Sequence, residues 1–249
     1  ITHNCFSGTA LTEITIPQSV ESIFSSAFAN CEQLTTISIL GEVKISREAF
    51  KNCKNLTSIT LPNSMETIEY STFSNCSSLT DIIIPNSVTS IGDSAFENCT
   101  SLVNIKVPDS LTSISSTAFI NTGYYNNQNN WDNEVLYLGK HLIRAGFSEP
   151  IETYTVKKDT KSLAGNAFLN QNIKNIDLPD GLISIGKNAF SGCVNLTNVK
   201  LPNSITNIGI GAFESCSNLT SLVIPKGVTR ISTNTFRGCL KLTNIEIPN

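Results

Sequence analysis

The strongest constraint on this chain is a phenylalanine that returns every 22 or 23 residues. The stretch Leu79 to Ser101, with its Ala95-Phe96 pair, is the clearest copy of the unit. A fixed period of this length indicates a solenoid, because one supersecondary unit cannot bury its apolar face alone and must stack on its copies. The recurring positions are Phe6, Phe28, Phe50, Phe73, Phe96, Phe119 and, after one gap, Phe168, Phe190, Phe213 and Phe236.

Each unit, or coil, begins with the pattern Leu-x-x-Ile-x-Ile/Leu-Pro, as in Leu79 to Pro85. Apolar residues alternate with variable ones before the proline, which predicts a strand with one buried face. Proline lacks an N–H and restricts φ, so we expect the strand to end there. The second half, Val-x-x-Ile-x-x-x-Ala-Phe, predicts a second short extended piece and then a single tight helical turn.

Composition limits the possible partners. The formal net charge is −3 and charged residues make up 15% of the chain. This balance provides no basic field, so we expect no nucleic-acid partner. No apolar run approaches the roughly 18 to 20 residues that span a bilayer, so we expect no membrane insertion.

The repeat predicts one extended domain over residues 1–249, with coils in 1–119 and 148–249 and an insertion at about 120–147. Both termini fall inside a repeat and neither carries a polar cap, which solenoids need at their ends. We therefore expect the sequence to be a fragment of a longer protein.

The insertion predicts a β-hairpin. Val135 to Leu138 and His141 to Ala145 are two apolar runs separated by Gly139-Lys140, a two-residue turn. An asparagine-rich segment with Tyr124, Tyr125 and Trp131 precedes it. A lone tryptophan beside a hairpin often packs under it; an exposed aromatic cluster would instead favour contact with protein or glycan.

Seven of the eight cysteines lie three residues after the recurring phenylalanine, and Cys5 instead precedes Phe6. One residue per coil forms a column with the roughly 4.8 Å spacing of paired strands, whereas disulfides prefer Cβ atoms about 3.5 to 4.5 Å apart. We interpret the seven as buried free thiols that fill a corner, with disulfides or a metal site as the alternatives.

The motif LPNSMETIEYSTFSNC at Leu61 to Cys76, repeated as IPNSVTSIGDSAFENC at Ile84 to Cys99, resembles the BspA-like leucine-rich repeats. The resemblance covers nearly the whole chain. It implies a β-rich, curved leucine-rich-repeat solenoid of about ten coils, with a parallel sheet on the Leu-x-x-Ile-x-Ile side. It also implies a surface or secreted protein, and a hairpin coil with a nearby tryptophan.

Two variable positions per strand predict two exposed rows on the sheet face. We name them the proline-side row and the leucine-side row. The proline-side row is Thr15, Ser38, Thr60, Ile83, Lys106, Thr155, Asp177, Lys200, Val223 and Glu246. The leucine-side row is Glu13, Thr36, Ser58, Asp81, Asn104, Thr153, Asn175, Asn198, Ser221 and Asn244.

These rows can simply keep the sheet soluble, or they can form a recognition surface. For the second alternative, Ile83 beside Lys106 is the expected hot spot. The residues predicted to bind a partner are Ile83, Lys106, Asp81, Asn104, Lys200, Tyr124, Tyr125 and Trp131.

The sequence offers little for catalysis. The only histidines, His3 and His141, have no Ser, Cys or Asp at a recognisable spacing. Asp132 and Glu134 are two acids in a polar loop, a pattern that is usually solvated, with cation binding as the alternative. We predict no catalytic residue, no cofactor and no metal.

The resulting hypothesis is a non-enzymatic, monomeric binding module at the cell surface or in the extracellular medium. It would contact a host or cell-surface protein and could mediate adhesion to host or neighbouring cells. The alternative is a structural spacer that projects another domain.

Overall fold

The computed structural model describes residues 1–248 and contains almost no helix. These residues form two compact units, one of Ile1–Leu111 with Thr117–Asn130 and one of Thr112–Ser116 with the chain from Trp131 onward. The single domain predicted for residues 1–249 stays a prediction.

Most coils contain two strands, and in most of these coils the first strand is the longer one. The strands are β1 (Glu13–Ile16), β2 (Ser22–Ile23), β3 (Thr36–Ile39), β4 (Lys44–Ile45), β5 (Thr67–Ile68), β6 (Asp81–Ile83), β7 (Ser90–Ile91), β8 (Asn104–Lys106), β9 (Ser113–Ile114), β10 (Trp131–Asp132), β11 (Val135–Leu138), β12 (His141–Ala145), β13 (Ile151–Thr155), β14 (Ser162–Leu163), β15 (Ile173–Asp177), β16 (Ser184–Ile185), β17 (Asn198–Val199), β18 (Asn207–Ile208), β19 (Ser221–Val223) and β20 (Asn244–Glu246). The helical elements are α1 (Gly123–Asn126) and a 3₁₀ turn (Gln128–Asn130).

The first strands of successive coils pair in parallel, as the sequence predicts. β1 pairs with β3 and β6 with β8 in the first unit, and in the second unit β13, β15 and β17 form one sheet and β19 and β20 another. In β6, Ile82 is buried while Asp81 and Ile83 are exposed, which is the alternation of a strand with one face on the core. The fold class, a β-solenoid of about ten coils, is confirmed.

The hairpin is confirmed with the bounds that the sequence predicts, β11 at Val135–Leu138 and β12 at His141–Ala145. The structure adds β10, which pairs antiparallel with β11 through Trp131 and Leu136. β12 then pairs in parallel with β14, which pairs with β16, and β16 with β18. The hairpin therefore supplies the strand that begins the column of second strands in this unit.

The segment from Ala-Phe to Asn-Cys is not the helical turn that we expected; it is a run of tight turns. In the coil of Phe96, Ser94 and Asn98 have φ of 55° and 61°, values that interrupt a right-handed helix. The Cys99 amide donates locally to the Phe96 carbonyl at 3.2 Å, whereas the Phe96 amide donates to Ala118 of the next coil at 2.8 Å. The backbone thus divides its hydrogen bonds between its own turn and the neighbouring coil.

The core of each coil lies between its two strands and this corner. The recurring phenylalanines stack face to face, with ring centroids 5.2 to 5.5 Å apart from Phe6 to Phe119. A second stack runs from Phe168 to Phe236 at 5.2 to 5.8 Å. Stacking in register places each ring over its copy, so one coil buries the apolar face of the next.

Candidate functional site

The two rows predicted on the sheet face are accessible to solvent. Every member of the proline-side row is exposed, and in the leucine-side row only Asn175 is half-buried. The pleat of the strand explains this result, because alternate side chains point away from the core. The rows are therefore available to a partner along the first strands of the coils.

Four of the predicted partner-binding residues lie together on β6 and β8. The register pairs Asp81 with Asn104 and Ile83 with Lys106. Asn104 Nδ2 donates to Asp81 Oδ1 at 2.6 Å, and Thr80 Oγ1 donates to Asp81 Oδ2 at 2.6 Å. These two hydrogen bonds hold the pKa of the Asp81 carboxyl below its ordinary value, and the bond from Thr80 has the larger effect. Asp81 is thus a fixed carboxylate at the edge of the pair formed by Ile83 and Lys106.

Ile83 and Lys106 are the two residues of this group whose side chains remain available to a partner. The Ile83 side chain is 65% exposed, although its position in the repeat usually holds a polar residue. Within residues 1–248, no carboxylate lies within 4 Å of the Lys106 ammonium. An exposed aliphatic side chain therefore stands next to a cation that has no ion-pair partner in the described chain.

Lys200 belongs to the second unit, directly after β17. It lines a shallow cleft with Val223 of β19. Val223 was not singled out by the sequence, although it is 58% exposed and occupies the same position of the repeat as Ile83. The available signal was its aliphatic character in a mostly polar row.

The three aromatic candidates are divided between two elements. Tyr124 and Tyr125 lie in α1, whose N-cap Thr122 accepts a hydrogen bond from the Tyr125 amide at 3.0 Å. Burial raises the pKa of Tyr124. Trp131 begins β10 and is half-buried, with its Cζ3 atom 3.7 Å from where a Cβ on Gly146 would stand. The ring therefore packs over backbone and keeps an accessible part, and its role in binding stays a prediction.

His141 has a partner that sequence spacing does not indicate. Its Nδ1 lies 2.8 Å from Ser162 Oγ, because β12 and β14 place these residues side by side. Both side chains are fully buried. A substrate cannot reach this pair in the folded chain, so it is a buried polar contact between two strands.

The two acids of the insertion interact with different groups. Asp132 Oδ2 lies 3.0 Å from Lys157 Nζ, which also sits 4.4 Å from the centre of the Tyr137 ring. Glu134 Oε1 accepts from the Ser148 amide at 3.2 Å. Asn133 and Glu134 have φ of 48° and 64°, so they form the two-residue turn between β10 and β11. In residues 1–248, His, Cys, Asp and Glu side chains form no group of three that could hold a metal ion.

The seven thiols at the corner are free, in agreement with our interpretation; six of them are buried, and Cys239 is half-buried. Each donates from Sγ to the carbonyl of a phenylalanine in a preceding coil, as Cys76 does to Phe50 at 3.2 Å and Cys99 to Phe73 at 3.1 Å. Burial raises the pKa of Cys53, Cys99 and Cys193 to about 12. These thiols are packing groups that remain protonated at neutral pH.

An asparagine ladder, which the strand and turn patterns of the sequence do not predict, lies two residues after the phenylalanines of the first unit. Asn75 Nδ2 donates to Asn52 Oδ1 at 2.8 Å, and Asn98 Nδ2 donates to Asn75 Oδ1 at 2.9 Å. Each of these asparagines also has a positive φ. The recurrence of asparagine at one position of the repeat was the signal that could have indicated it.

Similarity to known proteins agrees with the geometry. A family model described as BspA type leucine rich repeat region matches residues 1–127 and 147–249 in six copies. No curated protein sequence is similar enough to this chain to count as a relative.

No helix within residues 1–248 has the length and apolar character needed to cross a membrane.

Several solved structures are similar to this chain, among them three leucine-rich proteins. A leucine rich cell surface protein from Faecalibacterium prausnitzii A2-165 is 26% identical over 99% of this chain and 81% of its own, with a TM-score of 0.49. A leucine-rich repeat protein from Bacteroides ovatus is 22% identical, over 98% and 81% of the two chains, with a TM-score of 0.37. A leucine rich repeat protein from T. pallidum is 27% identical, over 75% and 67%, with a TM-score of 0.32.

The family match covers most of the chain and leaves out residues 128–146, where β10, β11 and β12 lie. Repeats of this kind generally serve as protein-interaction modules. The chain belongs to the BspA type leucine-rich repeat family.

Proposed function

We propose that this chain is a non-enzymatic binding module that recognises another protein with the exposed face of β6 and β8. The observation that carries the proposal is the pairing of Ile83, 65% exposed, with Lys106, which has no carboxylate within 4 Å in residues 1–248. Membership of a repeat family that generally serves protein interaction supports it.

The chemistry of this face fits a protein partner. Covering the exposed 65% of Ile83 would contribute roughly 1 to 2 kcal/mol. Lys106 would attract an acidic side chain and steer its approach. Asp81, already held by Thr80 and Asn104, loses little freedom on binding, so a partner donor at Asp81 would meet a preorganised acceptor.

The proposal includes location. We place the module outside the cell, at the surface or secreted, where it would act as a monomer and contact host or neighbouring cells. Family membership supports this placement. Protease treatment of intact source cells, followed by immunoblotting, tests it: digestion of the protein is expected, and full protection in intact cells would contradict a surface location.

Binding is tested with purified extracellular-matrix and cell-surface proteins immobilised for biolayer interferometry. We expect one or more to bind the wild-type chain, with Ile83→Asp weakening the interaction about tenfold or more, as for a hot-spot residue. Ile210→Asp is the matched control, because Ile210 is also an exposed isoleucine (49%) but lies outside the two rows. Equal losses for both variants would show that the effect is not specific to this face.

Charge reversal separates a binding module from a structural spacer. Lys106→Glu should reduce the association rate with an acidic partner, and the effect should shrink at high salt. If the chain is only a structural spacer, neither Lys106→Glu nor Lys200→Glu should change its binding. Unchanged binding in both variants would therefore contradict the proposal and favour the spacer.

A further inference from the structure

The ladder of first strands is interrupted between β17 and β19. β17 pairs with β15, and β19 pairs with β20, but within residues 1–248 no strand pairing joins β17 to β19. The two coils remain connected at their strand entrance, where the Thr220 amide donates to the Thr197 carbonyl at 3.4 Å. Beyond this bond the strands leave a cleft of about 380 Å³.

The walls of the cleft combine an apolar surface with one cation. Val199, Leu201 and Leu222 are nearly buried and form its apolar part, and Val223 is 58% exposed beside them. Lys200 also lines the cleft. The volume lies near the lower end of the roughly 300 to 1,000 Å³ of ligand pockets, which suits one or two side chains of a partner.

Lys200 has no ion-pair partner within the described residues, since no carboxylate lies within 4 Å of its ammonium. The acid in the adjacent coil of the same row, Asp177, instead accepts a hydrogen bond from Thr155 Oγ1 at 3.1 Å. The positive charge at the cleft is therefore open to a carboxylate from outside the chain.

The cleft repeats the chemistry of the face on β6 and β8. In both places a β-branched aliphatic side chain and a lysine occupy the proline-side row in adjacent coils: Ile83 with Lys106, and Val223 with Lys200. Their order along the chain is reversed. The second place differs in having a cleft beside the pair.

We infer that the cleft between β17 and β19 is a second recognition site, for a protein segment that carries an aliphatic side chain next to a carboxylate. The aliphatic group would enter beside Val223, and the carboxylate would pair with Lys200. The inference rests on the proposed protein-binding function and names the chemistry of the partner.

The probe is a fluorescein-labelled octapeptide of alternating Glu and Val, with alternating Gln-Val and Glu-Ser octapeptides as controls. Fluorescence anisotropy measures binding to the wild-type chain and to the Lys200→Glu, Val223→Ser and Ile210→Asp variants. We expect the Glu-Val peptide to bind the wild type and Ile210→Asp alike, and to bind each cleft variant about fivefold or more weakly, as for loss of one contact. The Gln-Val and Glu-Ser peptides should also bind more weakly.

Amide chemical-shift mapping with the Glu-Val peptide then locates the site. Shifts at residues 198–203 and 221–223 are expected, and Lys200→Glu should remove them. Unchanged affinity in both cleft variants, equal binding of the Gln-Val peptide or no binding at all would overturn the inference. Peptide-induced shifts confined to β6 and β8, and removed by Ile83→Asp, would concern the proposed function and not the cleft. The panel of purified proteins tests that function separately.

Discussion

Thr160 is a polar residue at a position where the repeat normally holds an aliphatic one. The equivalent residues in other coils include Val88, Leu111 and Leu182, all fully buried. Thr160 is fully buried too, and its Oγ1 has no hydrogen-bond partner in the described chain. A buried hydroxyl without a partner costs free energy, because it has lost its water.

We therefore expect Thr160→Val to stabilise the protein by about 1 kcal/mol, measured as the free energy of unfolding in guanidinium chloride. Thr122→Val is the matched control: Thr122 is equally buried, but its Oγ1 donates to the Phe119 carbonyl at 2.9 Å and caps α1. Thr122→Val should lower the free energy of unfolding by about 1 to 2 kcal/mol. Destabilisation by Thr160→Val would mean that its hydroxyl has a partner in solution.

The corner turns and their asparagine ladder are the element that most distinguishes these coils from a simple pair of strands. Asn75 occupies a left-handed conformation with φ of 62° and takes part in two ladder hydrogen bonds. Both properties favour asparagine, which tolerates positive φ better than other side chains and offers a donor and an acceptor.

Replacing Asn75 separates these two contributions. Asn75→Ala loses the ladder bonds and strains the backbone, so we expect a loss of about 2 to 3 kcal/mol in unfolding free energy. Asn75→Gly loses the same bonds but accepts the positive φ, so it should be about 1 kcal/mol less destabilising than alanine. Chemical denaturation of the three proteins provides the comparison, and glycine as destabilising as alanine would contradict a conformational role.

The thiol column runs through several coils of each unit, so it links the stability of the folded chain to pH. Burial raises the pKa of Cys53, Cys99 and Cys193 to about 12, whereas a thiol in an unfolded chain ionises near about 8.5. The folded state therefore binds protons that the unfolded state releases. The stabilisation from this difference is fully present below about pH 8.5 and is lost as the pH rises toward 12.

We expect the unfolding free energy to fall between pH 8 and pH 10 by on the order of 1 to 2 kcal/mol for each of these three thiols. Denaturation under reducing conditions at the two pH values measures the fall in the wild type and in Cys99→Ala. The fall in unfolding free energy should be smaller in Cys99→Ala than in the wild type. The difference is the contribution of one thiol, because the other ionisable groups are common to both proteins. Identical falls would show that Cys99 ionises in the folded state as it does in the unfolded state.

The solenoid of about ten coils and the parallel pairing of first strands are confirmed. The structure adds that the first strands are divided into separately paired groups. The opening between β17 and β19 is one such division, and it is where the cleft occurs. Departures from regular pairing thus create the features that a partner could recognise on a repetitive surface.

The sequence alone determined what recurs in every coil: strand positions, the proline that ends the first strand, the buried phenylalanines and thiols, and the exposed rows. It also predicted the hairpin strands at Val135–Leu138 and His141–Ala145. These features follow from local patterns, since alternation and turn residues act within a few positions of one another.

The tertiary structure decided which residues of different coils meet. His141 and Ser162 are 21 positions apart and become neighbours through strand pairing, and Lys200 and Val223, from two adjacent coils, line one cleft. The physical reason for this difference lies in what each property depends on. Burial depends on which face of a strand a residue occupies, and the alternation of apolar and polar residues along the sequence encodes that face. Hydrogen bonds and clefts between coils instead depend on inter-strand spacing, which no single coil determines.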